Sequence, residues 1–143
     1  MRVHALVLLL LAVAFACSIG SPSDESKIEK VVTRLLSAYA ENDIMSFSDL
    51  VHPEFAWSGH FKDWLVDLAQ NTRSAREHME VDSLRIEIRD VGFGVWRVAG
   101  VVVFSATYLH WPVPQKETRT FMWLLRRSGG RFALWGLEQE WLL

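Results

Sequence analysis

The spacing of apolar residues changes from a helical period to a strand period partway along this 143-residue chain. Between Ile28 and Tyr39 the apolar residues recur every three or four positions, which predicts an amphipathic helix over about residues 22–41. From Leu84 to Ile88 they alternate with charged residues, which predicts a half-buried strand. Helices that come first and strands that come last predict an α+β fold, in which a sheet packs against a helical layer.

Polar residues mark the predicted ends of the helices. Ser21 is the expected N-cap of the first helix, and Pro22 takes its first helical position. Asn42 can adopt the left-handed conformation that ends a helix, and Asp43 can cap a short second helix that stops at His52-Pro53. A weaker third helix is predicted from the apolar positions Phe61, Trp64, Leu65, Leu68 and Met79.

Three further strands are predicted after the one at Leu84, at residues 95–108, about 117–127 and about 131–141. The run at 95–108 is apolar on both faces, which favours a central position in the sheet. Pro112 and Pro114 are expected to break the chain after it, and Ser128-Gly129-Gly130 to turn the last two strands into a hairpin.

The first 16 residues have the pattern of a secretory signal peptide. Arg2 precedes an apolar run that ends on Ala14-Phe15-Ala16, which is the small-residue pattern of a cleavage site. The apolar run is shorter than the about 20 residues that a membrane-spanning helix needs. We therefore predict that residues 1–16 are removed and that residues 22–143 form one exported domain, periplasmic, attached to the cell envelope or secreted.

Cys17 is the only cysteine and follows the predicted cleavage site directly, so the chain cannot form an intramolecular disulfide. The segment resembles the lipobox of bacterial lipoproteins, in which this cysteine carries a lipid, although Ala14 and Phe15 depart from the usual residues. Two alternatives stay open: lipidation of Cys17, with residues 17–21 as a tether, or simple secretion. Contact with a membrane is expected only through that lipid.

Charge and composition narrow the partners. The formal net charge is −2 and no basic run is present, which argues against a nucleic-acid partner. The five histidines and single cysteine show no metal-ligand spacing, so neither a metal nor a cofactor is predicted. Seven tryptophans and eight phenylalanines can build a core and also line a cavity for an apolar molecule.

The segment Ala38-Tyr39-Ala40-Glu41-Asn42-Asp43, the following Phe47 and Leu50 to Phe55, the stretch Trp96 to Gly100, and the closing run Arg127 to Leu134 resemble the nuclear transport factor 2-like superfamily. The resemblance covers nearly all of residues 22–141 and rests on helix caps and turns. It implies a cone: a strongly curved, mostly antiparallel sheet around the first helix, with a pocket between the concave face and the helices. The superfamily includes ketosteroid isomerases, SnoaL-like cyclases, dehydratases and non-enzymatic binding or dimerisation modules.

The resemblance argues against steroid isomerase chemistry. The isomerase needs a tyrosine, a carboxylate base and a protonated carboxylic acid around its substrate. When its pattern is aligned at Asp43, these three roles fall on Leu35, on Gly59 and near Trp123. None of these residues can perform the role.

Other acid–base residues remain candidates. Glu138 and Glu140 share the phase of Phe132 and Leu134 on the last strand, so all four are expected to face the cone, where an apolar cavity would raise a carboxyl pKa. The alternative is that both glutamates are solvated or pair with an arginine such as Arg97 or Arg119. His60 is the histidine best placed for a dehydratase or cyclase, and its alternative is a surface or structural role.

Aromatic residues form the predicted ligand wall. Trp57, Trp64 and Tyr108, together with Tyr39 and Trp123, could hold a flat apolar ligand in the cone. The alternative is that most of these side chains, Trp123 above all, belong to the core.

The sequence thus predicts an exported domain that binds a small apolar or aromatic molecule, or a protein partner, without catalysis. A SnoaL-like lyase, isomerase or cyclase that works through the inward carboxylates is the first alternative. The second is a structural module of the cell envelope that dimerises through the convex face of its sheet. A homodimer is expected, and a filled interior would favour the structural module.

Overall fold

The computed structural model describes residues 23–139 and residue 141. The predicted signal peptide, the tether with Cys17, and Glu140 lie outside the described residues. None of the described helices is long and apolar enough to cross a membrane. The elements in chain order are α1 (Asp24–Ala40), α2 (Ile44–Asp49), β1 (Ala56–Trp57), β2 (His60–Phe61), α3 (Lys62–Ser74), β3 (His78–Gly92), β4 (Val95–Tyr108), β5 (Trp111–Ser128) and β6 (Arg131–Leu137).

Side-chain caps fix the ends of the first two helices. The N-cap of α1 is Ser23, whose hydroxyl accepts a hydrogen bond of 3.1 Å from the backbone of Ser26. The prediction of Ser21 is therefore wrong, and Ser21 lies outside the described residues. Asn42 has a φ of 60° and ends α1 as predicted. Asp43 caps α2 as predicted, because its carboxylate accepts from the backbone of Ser46 at 3.1 Å.

The long strands form one antiparallel sheet in the order β3-β4-β5-β6, and β1 pairs with β2 in a separate hairpin. The loop after α2 extends along the edge of β6. There His52 N donates to Leu134 O and Leu134 N donates to Leu50 O, both at 2.8 Å. The predicted α+β class, with helices against a curved antiparallel sheet, is confirmed.

The core lies between α1 and the concave face of the sheet. One stripe of α1 is fully buried, as the helical spacing predicted: Ile28, Val32, Leu35, Leu36 and Tyr39. The opposing inner face of β4 and β5 is also buried: Val98, Val102, Phe104, Phe121, Trp123 and Leu125. Gly100 pairs with Phe121 across β4 and β5, and its missing side chain leaves room for the Phe121 ring.

A β-bulge hid the first third of β3 from the sequence analysis. The pairing of β3 with β4 shifts between Val81 and Ser83, so the inward positions run Met79, Val81 and then Leu84. That break in the two-residue period made Met79 look like the end of the third helix. Met79 is instead a buried strand residue, and α3 ends at Ser74.

The two prolines do not separate the strands as predicted. β4 turns at Leu109-His110 directly into β5, which contains both Pro112 and Pro114. Because β6 pairs with β5 only from Trp123 onward, this part of β5 has one open edge. A proline lacks the N–H donor, and an open edge needs no donor there.

Candidate functional site

The concave face carries a buried polar cluster made by Tyr39, Arg76, Tyr108, Glu117 and Arg119. Glu117 lies at its centre with 7% of its surface exposed. Arg76 donates to both carboxylate oxygens, from Nε to Oε1 at 3.0 Å and from Nη2 to Oε2 at 2.7 Å. Arg119 Nη2 adds a bond of 3.1 Å to Oε2, and the Tyr108 hydroxyl donates to Oε1.

Helices close this cluster from the other side. Arg76 Nη1 donates to Tyr39 Oη at 3.0 Å and to the Thr72 carbonyl at 2.6 Å. The hydroxyls of Tyr39 and Thr72 lie 3.0 Å apart. The cluster therefore joins α1, the end of α3, β4 and β5 through groups that satisfy one another.

The cluster sets the charge states of its members. The hydrogen bonds from Arg76 hold the pKa of the Glu117 carboxyl below its usual value, against the opposing effect of burial. The bond to Glu117 raises the pKa of the Tyr108 hydroxyl. Glu117 is thus a carboxylate whose oxygens already accept four hydrogen bonds, and Tyr108 is a neutral donor. The arrangement suits a fixed anchor better than a general acid, which must hold and release a proton near neutrality.

Aromatic side chains occupy the interior next to this cluster. Trp123 stacks on Trp141 with ring centroids 5.7 Å apart and planes 4° apart. Trp141 also meets the rings of Tyr39 at 6.0 Å and Phe47 at 5.8 Å edge to face. Tyr39 and Trp123, predicted as ligand-binding residues, are both buried in this packing. Their contact with a ligand stays a prediction.

A second group forms on the β1–β2 hairpin and brings together three of the predicted residues. Ser58 and Gly59 both have positive φ, as in a two-residue type I′ turn, so Trp57 and His60 lie directly opposite each other. Trp64, in the first turn of α3, stacks on both. Its ring lies 4.2 Å from that of His60 and 5.6 Å from that of Trp57, with planes within 22°.

This aromatic stack is open to solvent. His60 is exposed, Trp57 and Trp64 are half-buried against the core, and the neighbouring Phe61 is 69% exposed. A flat ring can add to such a stack without displacing any buried side chain.

The predicted orientation of Glu138 is wrong. The pairing of β5 with β6 moves from Leu125–Leu134 to Leu124–Gly136, so Trp135 is an extra residue and the strand changes phase there. Glu138 therefore lies on the outer face, where Arg97 binds it with Nε 2.7 Å from Oε2 and Nη2 2.8 Å from Oε1. This is the ion-pair alternative. The predicted partner of Glu138 in catalysis, Glu140, lies outside the described residues.

Sequence reasoning missed Glu117 and Arg76. A signal for Glu117 was present, because it alternates in phase with Phe121, Trp123 and Leu125 and so shares their inward face. Arg76 lies between a helix and a strand, where no period indicates direction. Among the described residues, no three His, Cys, Asp or Glu side chains are grouped so that they could hold a metal ion.

Comparisons with known proteins show similarity in structure only. No protein-family model matches the sequence, and no curated protein matches it either. A candidate dehydratase of the nuclear transport factor 2-like family from Streptomyces avermitilis superposes with a TM-score of 0.66 at 12% identity, over 79% of this chain and 92% of that one.

Two further solved structures superpose over most of their length. A candidate scytalone dehydratase from Novosphingobium aromaticivorans gives a TM-score of 0.65 at 11% identity, over 76% of this chain and 77% of that one. A conserved protein from Planctomyces limnophilus gives 0.64 at 20% identity, over 79% and 91%. The element order, the concave core and these superpositions agree, and the chain has the nuclear transport factor 2-like fold.

Proposed function

We propose that this chain is an exported binding protein and that the aromatic stack of Trp57, His60 and Trp64 holds a small apolar or aromatic ligand. The observation that carries the proposal is the near-parallel arrangement of three rings with His60 exposed at the surface. Offset stacking adds about 0.5–1.5 kcal/mol to each aromatic pair beyond the area it buries. Nothing on the concave face offers an equally open aromatic surface among the described residues, because the rings there pack on one another.

A neutral fluorescent probe tests this site. Titration with N-phenyl-1-naphthylamine should give saturable binding that Trp64→Ala weakens about tenfold, since the substitution removes the ring shared by both stacked pairs. Trp135→Ala is the matched control, because Trp135 is half-buried away from the hairpin beside Arg126. Equal weakening by both variants, or by neither, would contradict the proposal.

Export is proposed on the sequence alone, from residues 1–16 and the cleavage pattern before Cys17. The intact mass of the protein purified from its own host tests it. A mass that begins at Cys17 with an added diacylglyceryl group identifies a lipoprotein, and an unmodified Cys17 identifies simple secretion. Retention of residues 1–16 would contradict export.

A lyase, isomerase or cyclase is the second candidate, and it is supported by one observation: Glu117 and Tyr108 bring a carboxylate and a phenol together on the concave face. Native mass spectrometry of the chain from its own host separates the two functions. A single copurified apolar compound supports binding. A pair of compounds that differ by one water would favour a lyase.

A homodimer is also proposed, through the outer face of β4. Val95, Ala99, Val101 and Val103 are half-exposed there, and a second copy would bury them. Sedimentation of Val101→Glu against the unmodified chain tests the dimer. A dimeric chain that becomes monomeric on this substitution supports the outer face as the interface, and a chain that is monomeric before substitution contradicts it.

A further inference from the structure

A groove of about 360 Å³ lies on the solvent side of α1, away from the aromatic stack. Its walls are α1, the loop after α2, and the turn between β5 and β6. The volume is at the lower end of the about 300–1,000 Å³ typical of small-molecule sites. The groove can therefore hold one compact molecule.

The sequence places cations on all walls of this groove. Lys27, Lys30 and Arg34 follow one another at three- and four-residue steps of α1, so they share one helix face. Lys62 begins α3, and Arg131 begins β6 directly after the Gly129-Gly130 turn. Five cationic side chains thus line a groove that contains one carboxylate, Asp49.

Most of this positive charge has no counter-charge nearby. Among the described residues, no carboxylate oxygen lies within 4.0 Å of the side-chain nitrogens of Lys30, Arg34 or Arg131. Lys27 has only a long contact of 3.9 Å with Asp24. A concentration of unpaired cations on a chain whose net charge is −2 attracts an anion.

The floor of the groove is apolar. Val51, Phe132 and Ala133 are buried at its base, and Val31 and Leu50 are half-buried beside them. Lys62 Nζ donates to the Val51 carbonyl at 3.1 Å and so holds its charge next to this floor. A fully hydrated inorganic anion would leave the floor uncovered, whereas an anion with an apolar body would cover it.

We propose that this groove binds a small carboxylate with an apolar body, such as a medium-chain fatty acid anion. The carboxylate pairs with the guanidinium groups of Arg34 and Arg131, which suit its two oxygens, and the apolar body lies on Leu50 and Phe132. The lining carboxylate of Asp49 favours a single negative charge over a multiply charged phosphate. The site does not depend on the aromatic stack.

Calorimetric titration of the full chain with octanoate tests the groove. Octanoate should bind, 1-octanol should bind at least tenfold more weakly, and added salt should weaken only octanoate, because the ion pairs are exposed and screened. Arg131→Gln should weaken octanoate about tenfold. Arg85→Gln, which neutralises an exposed arginine on β3, is the control and should not change the affinity.

Several results would overturn the proposal. Equal affinities for octanoate and 1-octanol would show that the cations play no part. An unchanged affinity in Arg131→Gln would place the anion elsewhere. Binding only to vesicles that contain phosphatidylglycerol would indicate a membrane-surface patch. Loss of octanoate binding in Trp64→Ala would put the ligand on the aromatic stack, whereas loss of the naphthylamine probe alone would leave the groove standing.

Discussion

The two faces of the sheet each carry an arginine–glutamate ion pair, and the two pairs differ in everything except geometry. Both are bidentate, with shortest distances of 2.7 Å. On the concave face, the side chains of Arg76 and Glu117 are 8% and 7% exposed, and two tyrosines and Arg119 surround them. On the outer face, those of Arg97 and Glu138 are 41% and 24% exposed.

The comparison shows that a carboxylate's role depends on the face it occupies. Inside, every polar group of the cluster has a partner because an unpartnered buried charge would be very costly. Outside, water can replace either partner of a pair. The concave face is therefore a packed and rigid region, and surfaces open to ligands lie elsewhere, at the aromatic stack and the basic groove.

The packing of the concave face can be broken most severely at Trp141. Trp141→Ala should lower the free energy of unfolding by about 3–5 kcal/mol, because it empties the space between Trp123, Tyr39 and Phe47. Denaturant unfolding measures this loss. Trp111→Ala is the control and should have little effect, since Trp111 is 59% exposed. Similar losses in both variants would mean that Trp141 is not a core residue in solution.

Removing the charge of Glu117 should have the next largest effect. Glu117→Gln should lower the free energy of unfolding by about 3 kcal/mol, because it leaves the buried Arg76 cation without its counter-charge. Glu87→Gln removes the partner of Arg89 in an exposed pair and should change stability very little. A Glu117→Gln variant as stable as Glu87→Gln would contradict the buried pair.

The pH dependence of the same variant gives an independent readout. The pKa of Glu117 is lower in the folded chain than its ordinary value of 4.5, so on acidification the unfolded chain takes up the proton first. The stabilisation by Glu117 is therefore complete above about pH 4.5 and is lost as the pH falls through the folded-state pKa. The stability difference between the original chain and Glu117→Gln should shrink below pH 4.5. A difference that stays constant down to low pH would exclude this carboxylate as its source.

Sequence periodicity predicted the fold because most of the chain keeps one period per element. The buried stripe of α1, the left-handed Asn42 and the cap Asp43 are each determined by local residue types. The prediction of the site failed where the period broke. The bulge at Val81–Ser83 moved Met79 from a helix to a strand, and the extra residue Trp135 moved Glu138 from the inner face to the outer one.

The basic groove was beyond sequence reasoning for a different reason. Lys30 on α1 and Arg131 on β6 are about a hundred positions apart, and each reads as an ordinary solvated charge. Only the packing of the β5–β6 turn against α1 brings them to one groove. The Trp57–His60–Trp64 group could be assembled from the sequence, because a two-residue turn and one helical turn connect all three.

A smaller disturbance of the concave face is available at Gly100. A Cβ on this residue would lie within 2.6 Å of Cε1 of Phe121, whose ring is held against Trp123. Gly100→Ala should therefore cost about 1–3 kcal/mol of unfolding free energy. Gly136→Ala, whose new atom would come no nearer than 3.4 Å to the Ala56 carbonyl, is the control and should cost less. Adding Phe121→Leu to Gly100→Ala should recover part of the loss, and an additive double variant would contradict the contact.

The smallest effect is expected on the outer face, where Glu138→Gln should leave the free energy of unfolding unchanged within the error of a denaturation curve. The hydrogen bonds of Glu138 to Arg97 are replaced by water when one partner is lost, and salt already screens the pair. The measurement sharpens the comparison only if the protein concentration is varied. In a dimer that buries the outer face, the same substitution would leave Arg97 uncompensated at the interface and lower stability at high concentration only. A loss as large as that of Glu117→Gln at every concentration would show that the two faces do not differ in the way that their exposure indicates.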